Sequence, residues 1–264
     1  GTQLPKVRRV REPHRIGGKY DTVTNKFVGP CDIWPVWMVG EEQFNILFDP
    51  NGKQHNLLYS AEGVGKTTLM SQWVWVQVIV AAMAGIPGTL GATAPTATRL
   101  ETFIKGVCDL APINSNVGTI PGAWGTLRLD AQDIRTCTGH IIQFRSTKQQ
   151  SAATGSPLQG YNFGLGIGMD EMQDSVEAFA DAISRLRSAA HAPIFGTATA
   201  KDHPMWRAFR DSLSEKYWDI HRLSYLATPF VHDSHWEMMR ENTFERDWMR
   251  LGLALDVGPE RQVY

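Results

Sequence analysis

Between residues 56 and 84 the sequence places a short apolar run, a glycine-rich turn and a long apolar stretch in immediate succession, and nothing else in the chain restricts its fold as strongly. The run Asn56–Ser60 has the length and character of a buried strand. It leads into Ser60-Ala61-Glu62-Gly63-Val64-Gly65-Lys66-Thr67-Thr68, and the stretch Trp73–Ala84, interrupted only by Gln77, reads with Lys66 onward as a buried helix. A strand that turns through glycines into a helix is the setting of a phosphate-binding loop. Gly63 and Gly65 allow backbone conformations that other residues resist, so successive N–H groups can converge on phosphate oxygens beside the helix N-terminus. Lys66 then supplies a point charge for the β- and γ-phosphates of a nucleotide, and the Thr67 hydroxyl is placed for magnesium. Ser60 stands where this motif usually begins with glycine, and its small side chain still fits the turn.

The rest of the chain continues the alternation. Glu41–Phe48 reads as a helix with Phe44, Leu47 and Phe48 on one side, Thr89–Ala94 as a strand and Thr96–Leu110 as a helix. Asp133–Cys137 and His140–Arg145 flank Thr138-Gly139 as a hairpin. Gly164–Met169 reads as an apolar strand, Ser175–Ala190 as a helix and Pro193–Thr199 as a strand. This pattern predicts an α/β fold, a mostly parallel sheet flanked by helices.

A second chemical signal lies about a hundred residues after the loop, where the apolar run Leu165–Met169 ends in Asp170 and Glu171. A buried parallel strand would carry both acids to the carboxyl edge of the sheet, where open α/β folds bind ligands. There Asp170 can hold magnesium, and Glu171 can orient and polarise an attacking water as general base. The second acid points to hydrolysis, since transfer to a small-molecule acceptor needs no water-activating glutamate at that position.

Composition removes several alternatives. The formal net charge of -1 makes the chain no polycation, so any nucleic-acid contact must come from a local patch. Residues 1–30 are a candidate: Lys6, Arg8, Arg9, Arg11, Arg15 and Lys19 face only Glu12 in the first twenty positions. This reads as a loosely ordered basic arm that either touches a phosphate backbone or an acidic partner or is a solvated tail. The apolar stretch after the loop falls short of the roughly 18–20 residues that a membrane span needs. Cys31, Cys108 and Cys137 show neither paired metal spacing nor a disulfide framework, which suits free thiols in a reducing setting. His191, His203, His232 and His235 share no metal spacing.

With these motifs in place the chain resembles the ATPase domain of viral, bacteriophage-type terminase large subunits across most of residues 41–264. Gln43, in Glu41-Glu42-Gln43-Phe44, resembles the family's adenine-recognising glutamine, and Ala92-Thr93-Ala94-Pro95-Thr96 its second strand and Pro-Thr turn. Gly139–Ser146 resembles its hairpin strand, and Phe195-Gly196-Thr197-Ala198-Thr199-Ala200 its coupling motif, in which Thr197 and Thr199 would sense the γ-phosphate. Tyr225–Tyr264 resembles its lid-like subdomain and the lead-in to a nuclease domain. The resemblance implies a P-loop NTPase core of the ASCE/RecA-like type over residues 31–224, a small C-terminal lid or linker over 225–264, and a nuclease half beyond the present sequence.

The same resemblance implies an ATP- and Mg2+-dependent motor that drives double-stranded DNA into a viral capsid in the host cytoplasm. Its partners would be the portal protein, the small terminase subunit and copies of itself in a ring of five, with a monomer expected in isolation. Two departures stand out. Where many terminases carry an arginine in the phosphate loop this chain has Glu62, and where many have Leu-Arg-Gly it has Leu158-Gln159-Gly160. Arg99, Arg145 and Lys148 are the remaining candidates for an arginine finger or a DNA contact. An arginine finger contributes about 10³–10⁵ in rate, so slow hydrolysis by the isolated monomer is expected. A helicase-like remodelling ATPase and a nucleotide-gated scaffold with little turnover are the rival readings.

Overall fold

In a computed structural model of the protein, residues 14–16, 19–21, 26–28, 37–49, 51–115, 123–148, 157–186, 192–199, 204–224 and 233–254 are described. Cys31, most of the basic arm, the end of the expected 175–190 helix, His191, His203, His232, and residues 225–232 and 255–264 lie outside them.

In chain order, three short strands come first, His14–Ile16 (β1), Lys19–Asp21 (β2) and Lys26–Val28 (β3), followed by Trp37–Val39 (β4). β1 pairs antiparallel with β4, and β2 with β3. Helix α1 (Glu41–Phe48) follows, its start capped by Gln43 Oε1, which accepts from the Gly40 N–H at 2.9 Å. Next come β5 (His55–Ser60), α2 (Lys66–Met83), β6 (Thr89–Ala94) and α3 (Ala97–Asp109). The Thr96 hydroxyl caps α3 by accepting from the Arg99 N–H at 3.4 Å. β7 (Ile113–Asn114), β8 (Gly125–Arg128), β9 (Asp133–Thr136), β10 (Ile141–Ser146) and β11 (Ile167–Met169) precede α4 (Phe179–Ser184). β12 (Ile194–Thr199), α5 (Pro204–Ser212), β13 (Trp218–Leu223), α6 (Asp233–Glu241) and the single turn α7 (Glu245–Asp247) complete the order.

Among the described residues, nine strands form one sheet in the order β13-β5-β12-β11-β6-β10-β9-β8-β7. From β13 to β10 every neighbour is parallel, and the antiparallel pairs β10–β9 and β9–β8 extend one side. The expected α/β architecture is thus observed. β12 lies between the strand that leads into the phosphate loop, β5, and the strand that ends in the acidic pair, β11.

The strands are apolar on both faces because both faces are covered. Leu58, Leu90, Ala92, Phe144 and Phe195 enter a core beneath α2 and α3, while Leu57, Tyr59, Ile167, Met169, Ile194 and Ala198 pack with Trp206 and Trp218 on the opposite face. α2 is buried nearly all the way round. Trp73 meets Phe195 at 5.4 Å between ring centroids, and Trp75 stands edge-on to Trp124 at 5.0 Å. Gly168 lets α2 sit close to the sheet: a Cβ there would lie 2.8 Å from Met70 Sδ and 3.4 Å from the Trp73 ring. Both tryptophans are therefore core residues.

Two differences from the sequence reading have local causes. The helix expected from Ser175 begins later, at Phe179, after 3-10 turns at Met172–Asp174 and Val176–Ala178. The Ser175 hydroxyl is tied to Thr147 Oγ1 at 2.7 Å, which holds this stretch against the end of β10 and out of helical geometry. β13, for which the sequence reading has no strand, adds to the edge of the sheet beside β5. Its four middle residues, Asp219, Ile220, His221 and Arg222, are polar or only partly buried on both faces, so it lacks a continuous apolar run.

Trp75 Nε1 donates to the Val107 carbonyl at 2.9 Å and thereby ties α2 to α3. Trp75→Phe is expected to lower stability by about 1–3 kcal/mol in urea denaturation, because the buried carbonyl loses its donor. Thiol labelling offers a second check. Burial, with the nearby Asp109 charge, pushes the Cys108 thiol up to about 11, whereas Cys137 is exposed. Mass mapping after brief alkylation at pH 8 should find Cys137 modified and Cys108 modified only on unfolding.

Candidate functional site

Parallel strands end together at one edge of the sheet, and the polar residues gather there. Ser60 pairs with Thr199, and Met169 lies level with Gly196 and Thr93, so the phosphate loop, the acidic pair and the threonines of β12 emerge side by side. Gly63 and Gly65 have φ of 74° and 86°, the left-handed region that glycine enters without penalty. Gly65 is the N-cap of α2 and no side chain caps it, so the first amides of the helix are available to an anion.

Thr67 Oγ1 donates to Asp170 Oδ2 at 3.1 Å, and Thr197 Oγ1 donates to the other oxygen, Oδ1, at 2.5 Å. The Asp170 N–H bonds the Thr93 carbonyl at 2.8 Å, which extends the ladder one residue past β11. Glu171 then turns sharply, with φ 49° and ψ 51°, a left-handed conformation that costs a non-glycine residue about 1–2 kcal/mol. Its N–H donates to Thr197 Oγ1 at 3.2 Å. Its carboxylate accepts from Thr199 Oγ1 at 2.9 Å and from Gln173 Nε2, and the Lys66 ammonium stands 3.7 Å away. The Lys66 and Glu171 side chains are only 7% and 8% exposed, so this pair is poorly screened by solvent.

The two acids are driven in opposite directions. Burial raises the Asp170 carboxyl above its ordinary range, and the adjacent Glu171 charge adds to this against the hydrogen bonds from Thr197 and Thr67 and the Lys66 charge. Burial alone would also raise Glu171. The Lys66 ammonium, the hydrogen bonds from Gln173 and Thr199 and the Arg99 charge outweigh it and hold that carboxyl below the usual range.

These groups open onto a cleft of about 530 Å³ lined by Glu62, Gly63, Gly65, Lys66, Thr67, Thr68, Arg99, Glu171, Thr199 and Arg250. Ser60, Ala61 and Val64 are buried in the base of the loop. Gln43 is buried beside the loop, its Nε2 3.8 Å from where a Cβ on Gly65 would sit. Of the three basic candidates, the structure brings only Arg99 to the cleft. Arg145 is built into the sheet face instead: its guanidinium lies 4.4 Å over the Tyr161 ring, bonds the Tyr161 hydroxyl, and donates to the Ala131 carbonyl at 3.2 Å. Lys148 is exposed beyond β10 and does not line the cleft.

Sequence reasoning missed two residues at this site. Gln173 bridges Glu171 to the backbone of β12, accepting from the Thr199 N–H at 3.2 Å. Arg250 reaches the cleft from the C-terminal segment, some 80 residues beyond the acidic pair. Neither carries a local motif, and only the folded arrangement reveals them.

Oxygen donors are what magnesium prefers, usually one or two from protein with the rest from phosphate and water. Thr67 and Asp170, converging at the helix N-terminus, fit that requirement. Among the described residues no group of three or more His, Cys, Asp or Glu side chains forms a fuller metal cage. No helix there is long and apolar enough to cross a membrane.

The arrangement has counterparts among solved structures. The large terminase of a thermophilic bacteriophage superposes with a TM-score of 0.64 at 16% identity, over 82% of this chain and 53% of that one. The ATPase domain of the Thermus phage P74-26 large terminase gives 0.57 at 13% identity, over 82% and 93%. The chain has the fold of a phage large-terminase ATPase domain. The HK97 bacteriophage large terminase gives 0.57 at 12% identity, over 81% and 49%, so the chain spans about half the length of this terminase and of the first. The first of the three has been solved with ADP and with ATP-gamma-S. No family model matches the sequence, and no curated protein sequence is significantly similar to it.

Thr197 satisfies two buried groups of this terminase fold at once, the Asp170 carboxylate and the Glu171 N–H. Thr197→Val, which keeps its shape, should lower stability by about 1–3 kcal/mol in chemical denaturation, and a value within error of wild type would mean that the Asp170 carboxylate does not depend on this hydroxyl.

Proposed function

We propose that this chain is the ATP-hydrolysing motor domain of a terminase large subunit. The observation that carries the reading is the meeting of Lys66, Thr67, Asp170 and Glu171 at the mouth of the phosphate loop, with Lys66 Nζ 3.7 Å from Glu171 and Thr67 Oγ1 3.1 Å from Asp170. The terminase fold around these four side chains, at identities of 12–16%, supports it.

In this reading the triphosphate lies along the amides of Gly63–Thr68, with Lys66 against its β- and γ-oxygens. Gln43, beside the loop, faces the adenine. Thr67 and Asp170 would hold a magnesium ion, which would neutralise phosphate charge when bound. Glu171, kept ionised by its neighbours, polarises the water that attacks the γ-phosphorus in line with the bond to the leaving ADP oxygen. Preorganised N–H groups and the Lys66 charge stabilise the transition state without reorganising. Thr197 and Thr199 touch both acids from one strand, so a change at the γ-phosphate is felt along β12 and passed to the periphery of the domain. The work done is translocation of duplex DNA at the portal of a viral procapsid in the host cytoplasm, by a ring of five such subunits engaged by the portal protein and the small terminase subunit. Nuclease activity is not expected of these residues.

Glu171→Gln should reduce ATP turnover by about 10²–10⁴-fold, the usual range for a lost general base, while leaving nucleotide binding intact. Lys66→Ala should abolish binding, EDTA should abolish turnover, and duplex DNA should stimulate the wild type. Unchanged turnover in Glu171→Gln would remove Glu171 as the base. Loss of turnover in Glu171→Gln without any effect of DNA or portal on the wild type would instead favour a nucleotide-gated scaffold or a different motor.

A further inference from the structure

The C-terminal segment is seated directly on the phosphate loop. Trp236 of α6 is buried, and its ring would stand 3.6 Å from a Cβ on Gly63. After α7 the chain forms a π-helical turn, Trp248–Gly252, whose buried Trp248 joins the same core. Turns of this kind are uncommon and occur frequently at functional sites. Within this turn lies Arg250, which lines the cleft together with Lys66, Thr67 and Glu171.

Arg250 is only partly satisfied by the protein. One terminal nitrogen, Nη2, bonds Asp247 Oδ1 at 2.9 Å, a contact one turn away whose acidic partner is 42% exposed. Its Nε is buried and finds no hydrogen-bond acceptor among the described residues. A buried guanidinium N–H without an acceptor is costly, and a guanidinium among the residues that line a cleft is suited to paired oxyanion oxygens. The cleft already carries Lys66, Arg99 and the open amides of α2, all favouring an anion in the same space.

We propose that Arg250 is a phosphate ligand supplied in cis: its guanidinium binds the phosphate chain of ATP in this chain's own cleft and thereby clamps the C-terminal segment when nucleotide is bound. The proposal rests on the reading of the cleft as an ATP site. It adds a cation from a distant part of the chain to a cleft whose loop carries Glu62 and, besides Lys66, no cation of its own. It also gives the segment 233–254 a direct chemical link to nucleotide state.

The experiment compares wild type, Arg250→Ala, Arg250→Lys and Asp247→Asn on the full chain. The readouts are ATP and ADP affinity by calorimetry with magnesium, and hydrogen exchange of residues 233–254. Wild type should bind ATP, and ATP should slow exchange in that segment. Arg250→Ala should weaken ATP binding at least 10-fold and abolish the protection. Arg250→Lys should recover only part of the affinity, because a point charge replaces the fork. Asp247→Asn should bind ATP as wild type does, since it leaves the guanidinium in place. Equal ATP affinity in wild type and Arg250→Ala would overturn the assignment while leaving the ATP site intact. Asp247→Asn reproducing the loss would show a purely structural ion pair and overturn it as well. Absence of nucleotide binding by the wild type would instead overturn the reading on which it rests.

Discussion

A carboxylate taken out of water at the end of a parallel strand has to find donors within the fold, and Asp170 is the group on which the rest of this site depends. It is 2% exposed, and its two oxygens are satisfied from different elements, one by the helix that follows the phosphate loop and one by β12. Strand order makes this possible. Because β12 intervenes between β5 and β11, hydroxyls at its carboxyl end lie within reach of both the loop and the acids. Thr197 and Thr199 are two residues apart, so the pleat sends both to the same face, while Ala198 between them packs on the other. Threonine is suited to this strand: it is β-branched, and it carries the one polar atom the buried acids require.

Glu171 is held differently. Its backbone departs from the strand in a left-handed turn, and its carboxylate is gripped by Lys66, Thr199 and Gln173 at once. The two adjacent acids are displaced in opposite directions, Asp170 upward chiefly by burial and Glu171 downward by Lys66 and its hydrogen-bond donors, so their surroundings differ although they are neighbours in the chain. The strain at Glu171 is offset by the bond from its own N–H to Thr197, so the same hydroxyl that satisfies Asp170 also fixes the direction of its neighbour.

Much of this was legible in the residues before any coordinates. The loop, the helix after it, β6, the β9–β10 hairpin and β12 follow from apolar runs bounded by glycine, proline or a hydroxyl, and those signals are local. The acids and threonines could be named because each ends a buried strand. What escaped depended on other parts of the chain. β13 is an edge strand whose polar or half-exposed middle residues give no apolar run, and the 3-10 turns after Glu171 accompany the contact of Ser175 with Thr147. Gln173 and Arg250 reach the site by packing alone. Arg145, plausible from charge, is occupied by Tyr161 and backbone carbonyls.

The burial of α2 has a mechanical corollary. Its flanks are enclosed from Leu69 to Ala81 with few gaps, by the sheet beneath, by α3 beside it, and by the indole of Trp75 hydrogen-bonded across to Val107. A shaft fixed along its length cannot swivel or slide without opening voids in a close-packed interior. The loop at its head is therefore mounted on the most firmly enclosed helix of the fold, and displacement there would cost more than displacement of the less buried segments that lean on its rim.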